Sequence, residues 1–344
     1  MKTRILVTGG TGYIGSHTVV ELQNNGYDVV IVDNLSNSRA EVVDSIEKIT
    51  GIRPAFEKVD CLDMQGLENV FVKYPGIKGI IHFAASKAVG ESVQKPLLYY
   101  RNNLVSLINL LELMPKYNVE GIIFSSSCTV YGQPDVLPVT ESAPIKKAES
   151  PYGNTKQINE EIIDDTIASG SPIKAIKLRY FNPIGAHPSA LIGELPNGVP
   201  QNLVPFLTQT AMGIREKLSV FGDDYDTPDG SCIRDYIYVV DLAKAHVIAM
   251  NRILEGKQKQ ASEVFNVGTG RGLSVLELIN AFESSTGVKL NYQIAPRRAG
   301  DIVKVWADPS YANNELGWKA DTSIEDTLRS AWDWQVHLRE KGIM

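Results

Sequence analysis

The chain contains few of the residues that build metal sites and disulfide frameworks. Its 344 residues include three cysteines and five histidines, and both kinds are scattered along the sequence. The cysteines lack the paired spacing of a zinc site or a disulfide-bonded module, and the histidines are too dispersed to suggest a ligand set. The sequence therefore predicts no metal site and a protein suited to the reducing cytoplasm.

Long apolar runs and an excess of positive charge are also missing. No stretch approaches the ~20 apolar residues needed to cross a bilayer, and the apolar run after Arg4 is too short for a secretory signal. The formal net charge of -6 leaves no extended basic surface for a nucleic-acid backbone. We therefore expect a soluble globular protein that binds neither membranes nor nucleic acid, and that meets any anionic ligand with local arginines.

The order of the predicted elements indicates an α/β fold. The first half alternates short β-branched segments with longer helical patterns, which is typical of parallel βαβ units. From about Asn182 the pattern changes to proline- and glycine-rich loops, where recognition groups often lie. The sequence predicts a doubly wound parallel Rossmann-type sheet in a domain of residues 1–181. It also predicts a smaller α/β domain of residues 182–344, from which a segment of about 236–268 returns to the first. The predicted strands and helices include Ile5–Val7, Val29–Val32, Gly79–Phe83, Gly121–Phe124, Lys174–Arg179, Leu97–Tyr117 and a helix that begins near Ser150.

A glycine motif lies between the first predicted strand and the first predicted helix. Gly9, Gly12 and Gly15 have the spacing GxxGxxG, which allows a sharp turn and a close approach of a diphosphate to the positive end of the helix. Because such a motif alone is a weak signal, Asp33 at the end of the second predicted strand matters. A carboxylate there can bind both ribose hydroxyls of adenosine and would repel a 2′-phosphate, which favours NAD over NADP. Asp33 taken alone could also be a turn residue.

Tyr152 and Lys156 are four residues apart on one predicted helix, and Ser127 lies just beyond a predicted strand. A free tyrosine, with a pKa of about 10, is a poor base near neutrality, but a lysine ammonium and an oxidised nicotinamide both favour the phenolate. Tyr152 could then remove a sugar hydroxyl proton while hydride leaves for NAD, with Ser127 bridging the two. Most isolated Tyr-x-x-x-Lys pairs are a packed aromatic and a solvated charge. The glycine motif upstream favours the catalytic interpretation here.

Motifs along nearly the whole chain resemble those of the extended short-chain dehydrogenase/reductase family, and within it the UDP-sugar epimerases. The later motifs separate these epimerases from more general relatives. The segments that carry the resemblance are Gly9–Gly15, Asp33–Leu35, His82–Ala84, Lys87–Ser92, Ser125–Gly132, Ser150–Lys156, Arg179–Pro183, Arg234–Ile237 and Ala295–Arg298.

The resemblance implies an enzyme with tightly bound NAD that interconverts UDP-glucose and UDP-galactose. In such enzymes the C4 hydroxyl is oxidised to a ketone, the sugar turns about the diphosphate, and hydride returns to the opposite face. It implies Tyr152, Lys156 and Ser127 as the catalytic residues. The implied NAD contacts are Gly9, Gly12, Tyr13, Ile14, Gly15, Asp33, Asn34, Asn37, Ser38, Asp60, Cys61, Phe83, Ala84, Lys87, Asn102, Tyr152, Lys156 and Phe181. The implied substrate contacts are Ser127, Tyr152, Asn182, Asn202, Leu203, Phe221, Arg234, Arg298, Asp301 and Val305.

Several questions of specificity and assembly stay open at this point. Val305 stands where members restricted to glucose and galactose usually have tyrosine, so the N-acetylated UDP-sugars are possible further substrates, although Val305 could equally be a neutral packing change. A 4,6-dehydratase is disfavoured because Cys128 follows Ser127 where many dehydratases have an acid. Another NAD-dependent nucleotide-sugar epimerase is the nearest alternative, and an NAD-sensing regulator would not need the Ser127, Tyr152 and Lys156 set. By analogy with the family, we expect a homodimer formed through a pair of helices.

Overall fold

The computed structural model describes residues 2–298 and 301–343. Within these ranges the chain forms thirteen strands, eleven helices and one short 3₁₀ turn, Cys128–Tyr131. The strands are β1 (Arg4–Thr8), β2 (Asp28–Asp33), β3 (Ala55–Lys58), β4 (Ile77–His82), β5 (Gly121–Ser127), β6 (Lys174–Tyr180), β7 (Asn182–Ile184), β8 (Leu218–Phe221), β9 (Ile233–Tyr238), β10 (Ser262–Val267), β11 (Gly272–Ser274), β12 (Tyr292–Ala295) and β13 (Lys304–Val305).

The helices occupy most of the connections between these strands. Helix α5 runs from Pro96 to Lys116, close to the predicted Leu97–Tyr117, and α6 begins at Pro151 with Ser150 as its cap, as expected. The helices are α1 (Tyr13–Asn24), α2 (Val42–Thr50), α3 (Met64–Lys73), α4 (Val89–Gln94), α5 (Pro96–Lys116), α6 (Pro151–Ala168), α7 (Leu203–Ala211), α8 (Val239–Leu254), α9 (Val275–Thr286), α10 (Ser310–Leu316) and α11 (Ile324–Glu340). None of the helices in the described ranges is long and apolar enough to cross a membrane.

The large sheet has seven strands in the order β10-β6-β5-β4-β1-β2-β3, and all its pairings are parallel. Helices cover both faces, so its strands are continuous runs of buried β-branched residues such as Val29–Val32. Strands β2 and β3 extend the sheet on one side of β1, and β4, β5 and β6 extend it on the other. Doubly wound folds bind ligands at such a change in strand order, here between β1 and β4, beyond the carboxyl ends of the strands. The predicted fold class is confirmed.

The second half of the chain builds a smaller layer beside this edge. Strand β9 pairs with β11 and β13 through its first residues and with β7 through its last ones. Strands β8 and β12 form a separate parallel pair, and α7, α9 and α11 enclose an apolar core against them. The division of the chain into domains at residue 181 stays a prediction.

Two later elements join the large sheet. Helix α8 follows β9 directly, packs against α1, and buries Leu242 and Met250 in the same core as the strands of the large sheet. Strand β10 pairs with β6 in register from Ser262↔Ala175 to Val267↔Tyr180. Because β9 continues straight into α8, the smaller layer is tied closely to the edge where the strands end.

Candidate active site

The glycine turn between β1 and α1 has the geometry of an anion site. Gly12 caps α1 without any side-chain hydrogen bond, and the first turn of the helix carries no acidic residue. The free N–H groups and the positive end of the helix dipole are therefore available to a diphosphate. A Cβ at Gly15 would lie 2.2 Å from the Gly9 oxygen, and one at Gly9 would lie 2.8 Å from the Ala84 nitrogen. Both positions require glycine.

Asp33 lies at the end of β2, beside this turn, and is almost fully buried. Its carboxylate accepts hydrogen bonds from the Thr11 N–H at 3.2 Å, the Leu35 N–H at 2.9 Å and the Ser38 hydroxyl at 2.9 Å. Asn34 donates to Asp60 at 3.0 Å. The structure thus brings these predicted groups together around the ends of β2 and β3. Of the other predicted contacts at this end, Cys61 is buried and Asn37 is exposed.

The loop after β4 and its surroundings contain the next group of predicted residues. The Phe83 ring lies 4.7 Å from that of His246 on α8, and the Asn102 amide donates to the Ser86 hydroxyl at 3.1 Å. The Lys87 ammonium lies 3.6 Å from a Glu194 carboxylate oxygen, which also accepts from the Asn202 amide at 2.6 Å. Sequence reasoning missed Glu194. A carboxylate in a loop carries no sequence signal of the partners it meets in the fold.

The proposed catalytic residues lie where β5 ends and α6 begins. Ser150 caps α6 by accepting from the Gly153 N–H at 3.1 Å, and Pro151 occupies the first turn. Lys156 is buried and donates to the Ser125 carbonyl at 2.6 Å. Its ammonium lies 5.8 Å from the centre of the Tyr152 ring. Ser127, at the end of β5, accepts from the Thr129 N–H at 3.2 Å.

Burial affects the ionisation of both residues of this pair. Burial raises the pKa of the Tyr152 phenol well above its usual value and the nearby Tyr180 raises it further, whereas a hydrogen bond with Ser127 lowers it. Burial also lowers the pKa of Lys156 to about 8, against the attraction of Glu160. A second positive charge beside the ring, such as that of an oxidised nicotinamide, would favour the phenolate together with that of Lys156.

The predicted substrate residues form two linked groups in the smaller layer. Arg298 pairs with Asp301 at 2.7 Å and lies 5.5 Å from the centre of the Phe221 ring. Arg234 on β9 stands opposite Val305 on β13 in the strand register. Because the Ile233 N–H donates to the Val303 carbonyl at 3.0 Å, the segment after Asp301 runs directly beside Arg234. Two arginines, two asparagines and an aromatic ring suit a nucleotide diphosphate.

The remaining predicted residues fall at the same edge of the sheet. Phe181 is buried with Val305 in a small cluster that also contains Tyr131 and Val139. Asn182 begins β7, opposite Tyr236, and Leu203 begins α7. The Tyr13 hydroxyl donates to the Gly185 carbonyl at 2.7 Å, and Ile14 packs beside it against the start of α8.

This fold and this edge define an extended short-chain dehydrogenase/reductase. A family model described as GDP-mannose 4,6 dehydratase matches residues 6–331. The UDP-glucose 4-epimerase of Dictyostelium discoideum is 51% identical over 332 residues, which cover 96% of this chain and 95% of that protein. The chain belongs to the UDP-glucose 4-epimerase family.

Solved structures agree with that assignment. A UDP-glucose-4-epimerase from Stenotrophomonas maltophila, with bound NAD and formylated UDP-arabinopyranose, superposes with a TM-score of 0.95 at 47% identity, covering 98% of this chain and 99% of that chain. The UDP-glucose 4-epimerase of Bifidobacterium longum, in complex with NAD+ and UDP, gives a TM-score of 0.93 at 48% identity, covering 97% of this chain and 98% of that chain.

The close contacts of the glycine turn lead to a first prediction. Gly15→Ala places a methyl group against the Gly9 carbonyl, so we expect a loss of about 1–3 kcal/mol of folding free energy and a marked loss of bound dinucleotide. Denaturant unfolding and the absorbance of extracted cofactor measure the two effects. Gly90→Ala is the matched control, because a Cβ there meets nothing within 4 Å. Full cofactor retention in Gly15→Ala would contradict the assignment of this turn.

Proposed function

We propose that this protein interconverts UDP-glucose and UDP-galactose by reversible oxidation and reduction at the sugar C4, with NAD held throughout the cycle. The observation that carries the proposal is the position of Tyr152 and Lys156 beside the end of β5, at the same sheet edge as the turn of Gly9–Gly15. The names of the relatives support it, as do the ligands of the solved structures. Residues 1–181, with the segment 236–268, are proposed as the NAD-binding domain and the rest as the substrate domain.

The residues of the sheet edge fit NAD. The uncapped start of α1 suits the diphosphate, and Asp33 has an oxygen on each side held by turn N–H groups, in place for ribose hydroxyls. Phe83, Ala84, Lys87, Asn102 and Phe181 are proposed to line the rest of the cofactor. NAD supplies a hydride acceptor that later returns the same hydride.

Side chains of the protein transfer the proton of the C4 hydroxyl. Tyr152 accepts the proton of the C4 hydroxyl, with Ser127 passing it across, and returns it in the second half of the reaction. Lys156 stabilises the phenolate through space and is fixed by the Ser125 carbonyl. Arg234 and Arg298 are proposed to hold the diphosphate together with Asn182, Asn202, Leu203, Phe221 and Asp301. A firm grip on the diphosphate leaves the ketosugar free to present its other face.

A dehydratase remains the weaker alternative within the same fold. In many such enzymes an acid follows the active-site serine or threonine and drives elimination. Here Cys128 occupies that position, and burial raises the pKa of its thiol to about 12. A neutral thiol beside Ser127 favours epimerisation.

The proposed role of Tyr152 is tested by its conservative replacement. Tyr152→Phe removes the proton acceptor, so we expect turnover to fall by about 10²–10⁴-fold while UDP-sugar binding changes little. Conversion of UDP-galactose without added cofactor measures the first quantity, and calorimetry with UDP the second. Tyr117→Phe is the control, since its hydroxyl donates to Glu68 at 2.9 Å on the far side of α5. Retained activity in Tyr152→Phe would rule out Tyr152 as the base.

We also propose that the enzyme accepts the N-acetylated UDP-sugars. The supporting observation is that a small residue, Val305, stands opposite Arg234 in the strand register and packs beside Phe181. A larger ring at this position would take up space beside the sugar C2 substituent in the proposed pocket.

Val305→Tyr tests this specificity. We expect the wild type to interconvert UDP-GlcNAc and UDP-GalNAc, and the variant to lose this reaction by at least about tenfold while keeping the conversion of UDP-galactose, because the added ring restricts the sugar pocket. Separation of the four UDP-sugars after reaction measures both. A wild type that leaves both N-acetylated sugars unchanged at high enzyme concentration contradicts the proposal.

We further propose a homodimer that works in the cytoplasm. Leu97, Val105 and Ile108 are exposed apolar residues on one face of α5, at spacings of eight and three residues. A second copy of the chain, packed helix against helix, would cover this face. The three free cysteines, Cys61, Cys128 and Cys232, suit a reducing compartment.

Light scattering tests the dimer. The double variant Val105→Asp/Ile108→Asp places two charges in the proposed interface, so we expect a monomer at micromolar concentration where the wild type is a dimer. Val72→Asp is the control, because Val72 is also apolar and is even more exposed, but lies on α3. A wild type that is itself monomeric, or a double variant that stays dimeric, contradicts this interface.

A further inference from the structure

A buried ion pair lies behind the proposed catalytic lysine. The Arg179 guanidinium on β6 donates to both carboxylate oxygens of Glu160 on α6, at 2.9 Å and 2.5 Å. Both side chains are less than a tenth exposed. The Ser126 hydroxyl donates to the same carboxylate at 2.5 Å. The pair therefore connects α6 and β6 to the last residues of β5.

The pair and Lys156 are adjacent in the structure. Glu160 lies four residues after Lys156, on the same face of α6. Lys156 is fixed to the carbonyl of Ser125, and Glu160 to the hydroxyl of the next residue, Ser126. Two adjacent residues of β5 thus fix the position of the lysine relative to that of the carboxylate.

The network continues away from the lysine. Arg179 also donates to the Tyr131 hydroxyl at 3.0 Å, and this hydroxyl donates to the Asn266 side chain at 2.6 Å. Asn266 in turn donates to the Val139 carbonyl at 2.9 Å. Each guanidinium nitrogen of Arg179 has a hydrogen-bond partner, which makes the position of this side chain well determined.

The titratable groups nearest to Lys156 are otherwise neutral at physiological pH. Burial lowers the pKa of His82 on β4 to about 3 and raises those of Cys128, Tyr131 and Tyr180 to about 12. Burial also raises the pKa of Tyr99 on α5 and that of Tyr152 on α6. Glu160 is therefore the charged side chain that acts most directly on the lysine, and Arg179 is its ion-pair partner. Other charged side chains in the surrounding elements are Glu141, Asp164, Lys177, Arg234 and Asp235.

We propose that Glu160 is a positioning residue: its carboxylate favours the charged form of Lys156, and Arg179, bound to the same carboxylate, limits this effect and fixes the carboxylate behind the end of β5. Glu160 supplies a negative charge one helical turn from an ammonium whose charged form burial disfavours. Arg179 limits that charge, so that the carboxylate does not withdraw Lys156 from the Ser125 carbonyl. The consequence for catalysis rests on the proposed function, whereas the effect on the charge of Lys156 does not.

The titration of Lys156 tests the inference without any activity assay. The ¹³Cε resonance of Lys156 is followed against pH in protein that carries ¹³C-lysine, and Lys156→Arg assigns it. Glu160→Gln removes the attraction and leaves Arg179, so the midpoint should fall by about one pH unit. Arg179→Gln leaves the carboxylate alone, so the midpoint should rise by about the same amount. Opposite shifts are the signature, because damage to packing alone has no reason to change sign.

Matched variants separate this effect from a general loss of order. Asp164→Asn breaks another ion pair between α6 and β6, that of Asp164 with Lys177 at 2.7 Å, two helical turns from Lys156. It should leave the midpoint unchanged. Glu160→Asp and Arg179→Lys keep the charges and should stay near the wild type. The double variant Glu160→Gln/Arg179→Gln should return towards it.

Each result decides the matter. No shift in Glu160→Gln, a shift of the same sign in Arg179→Gln, or an equal shift in Asp164→Asn overturns the inference. If Glu160→Gln does not fold, the rise in Arg179→Gln and its absence in Arg179→Lys carry the test. Turnover of UDP-galactose should follow the titration, with its alkaline limb displaced by the same amount. A wild type that does not convert UDP-galactose contradicts the proposed function, and the lysine titration then still decides the inference.

Discussion

A lysine ammonium buried at the end of a parallel strand is the constraint on which this structure depends. Removing such a charge from water is costly, and the chain offsets the cost with a backbone carbonyl, an aromatic ring and a nearby carboxylate. These partners come from β5 and α6, so the strand and the helix must meet in one register. The cap of Ser150 and the proline after it set where α6 begins, and therefore which residues face the strand. The position of α6 and the stabilisation of the charged Lys156 therefore depend on the same contacts.

The parallel sheet explains why the other groups lie nearby. All its strands end at one edge, so residues that are distant in sequence, such as Asp33, Phe83 and Ser127, lie at or just beyond the ends of β2, β4 and β5 there. The alternation of side chains along β5 divides three consecutive serines between different tasks. Ser125 contacts Tyr180 and Ser126 contacts Glu160, while Ser127 is the last residue of β5 and a proposed catalytic residue. The three serines at the end of β5 thereby contribute both to the support of the site and to its proposed chemistry.

The sequence predicted those parts of the site whose signal is local. The glycine turn requires residues without a Cβ, and its spacing can be read directly; the Tyr152 and Lys156 spacing follows from the helical period. Glu194, Glu160 and Arg179 were not found as site residues because their meaning depends on partners 8 to 107 residues away. The sequence also indicated that Lys156 and an oxidised nicotinamide favour the phenolate of Tyr152, and the structure adds that burial opposes this ionisation. The desolvation of a side chain depends on how the whole chain packs around it, so a short sequence motif does not indicate it.

The same reasoning applies to a buried carboxylate in the smaller layer. Asp235, the residue after Arg234, is fully buried and accepts hydrogen bonds from the Thr269 and Ala307 N–H groups at 2.9 Å and 3.1 Å. It therefore ties β9 to the loop after β10 and to the residues that follow Val305. Burial raises the pKa of Asp235, while these donors lower it, so its charge depends on all of them remaining in place. Arg234 is thereby carried on a strand that is fixed on two sides, whereas Phe221, Arg298 and Asp301 lie in more exposed segments. A firmly held Arg234 and a more adaptable Arg298 fit the proposed binding of a diphosphate whose attached sugar has to turn over.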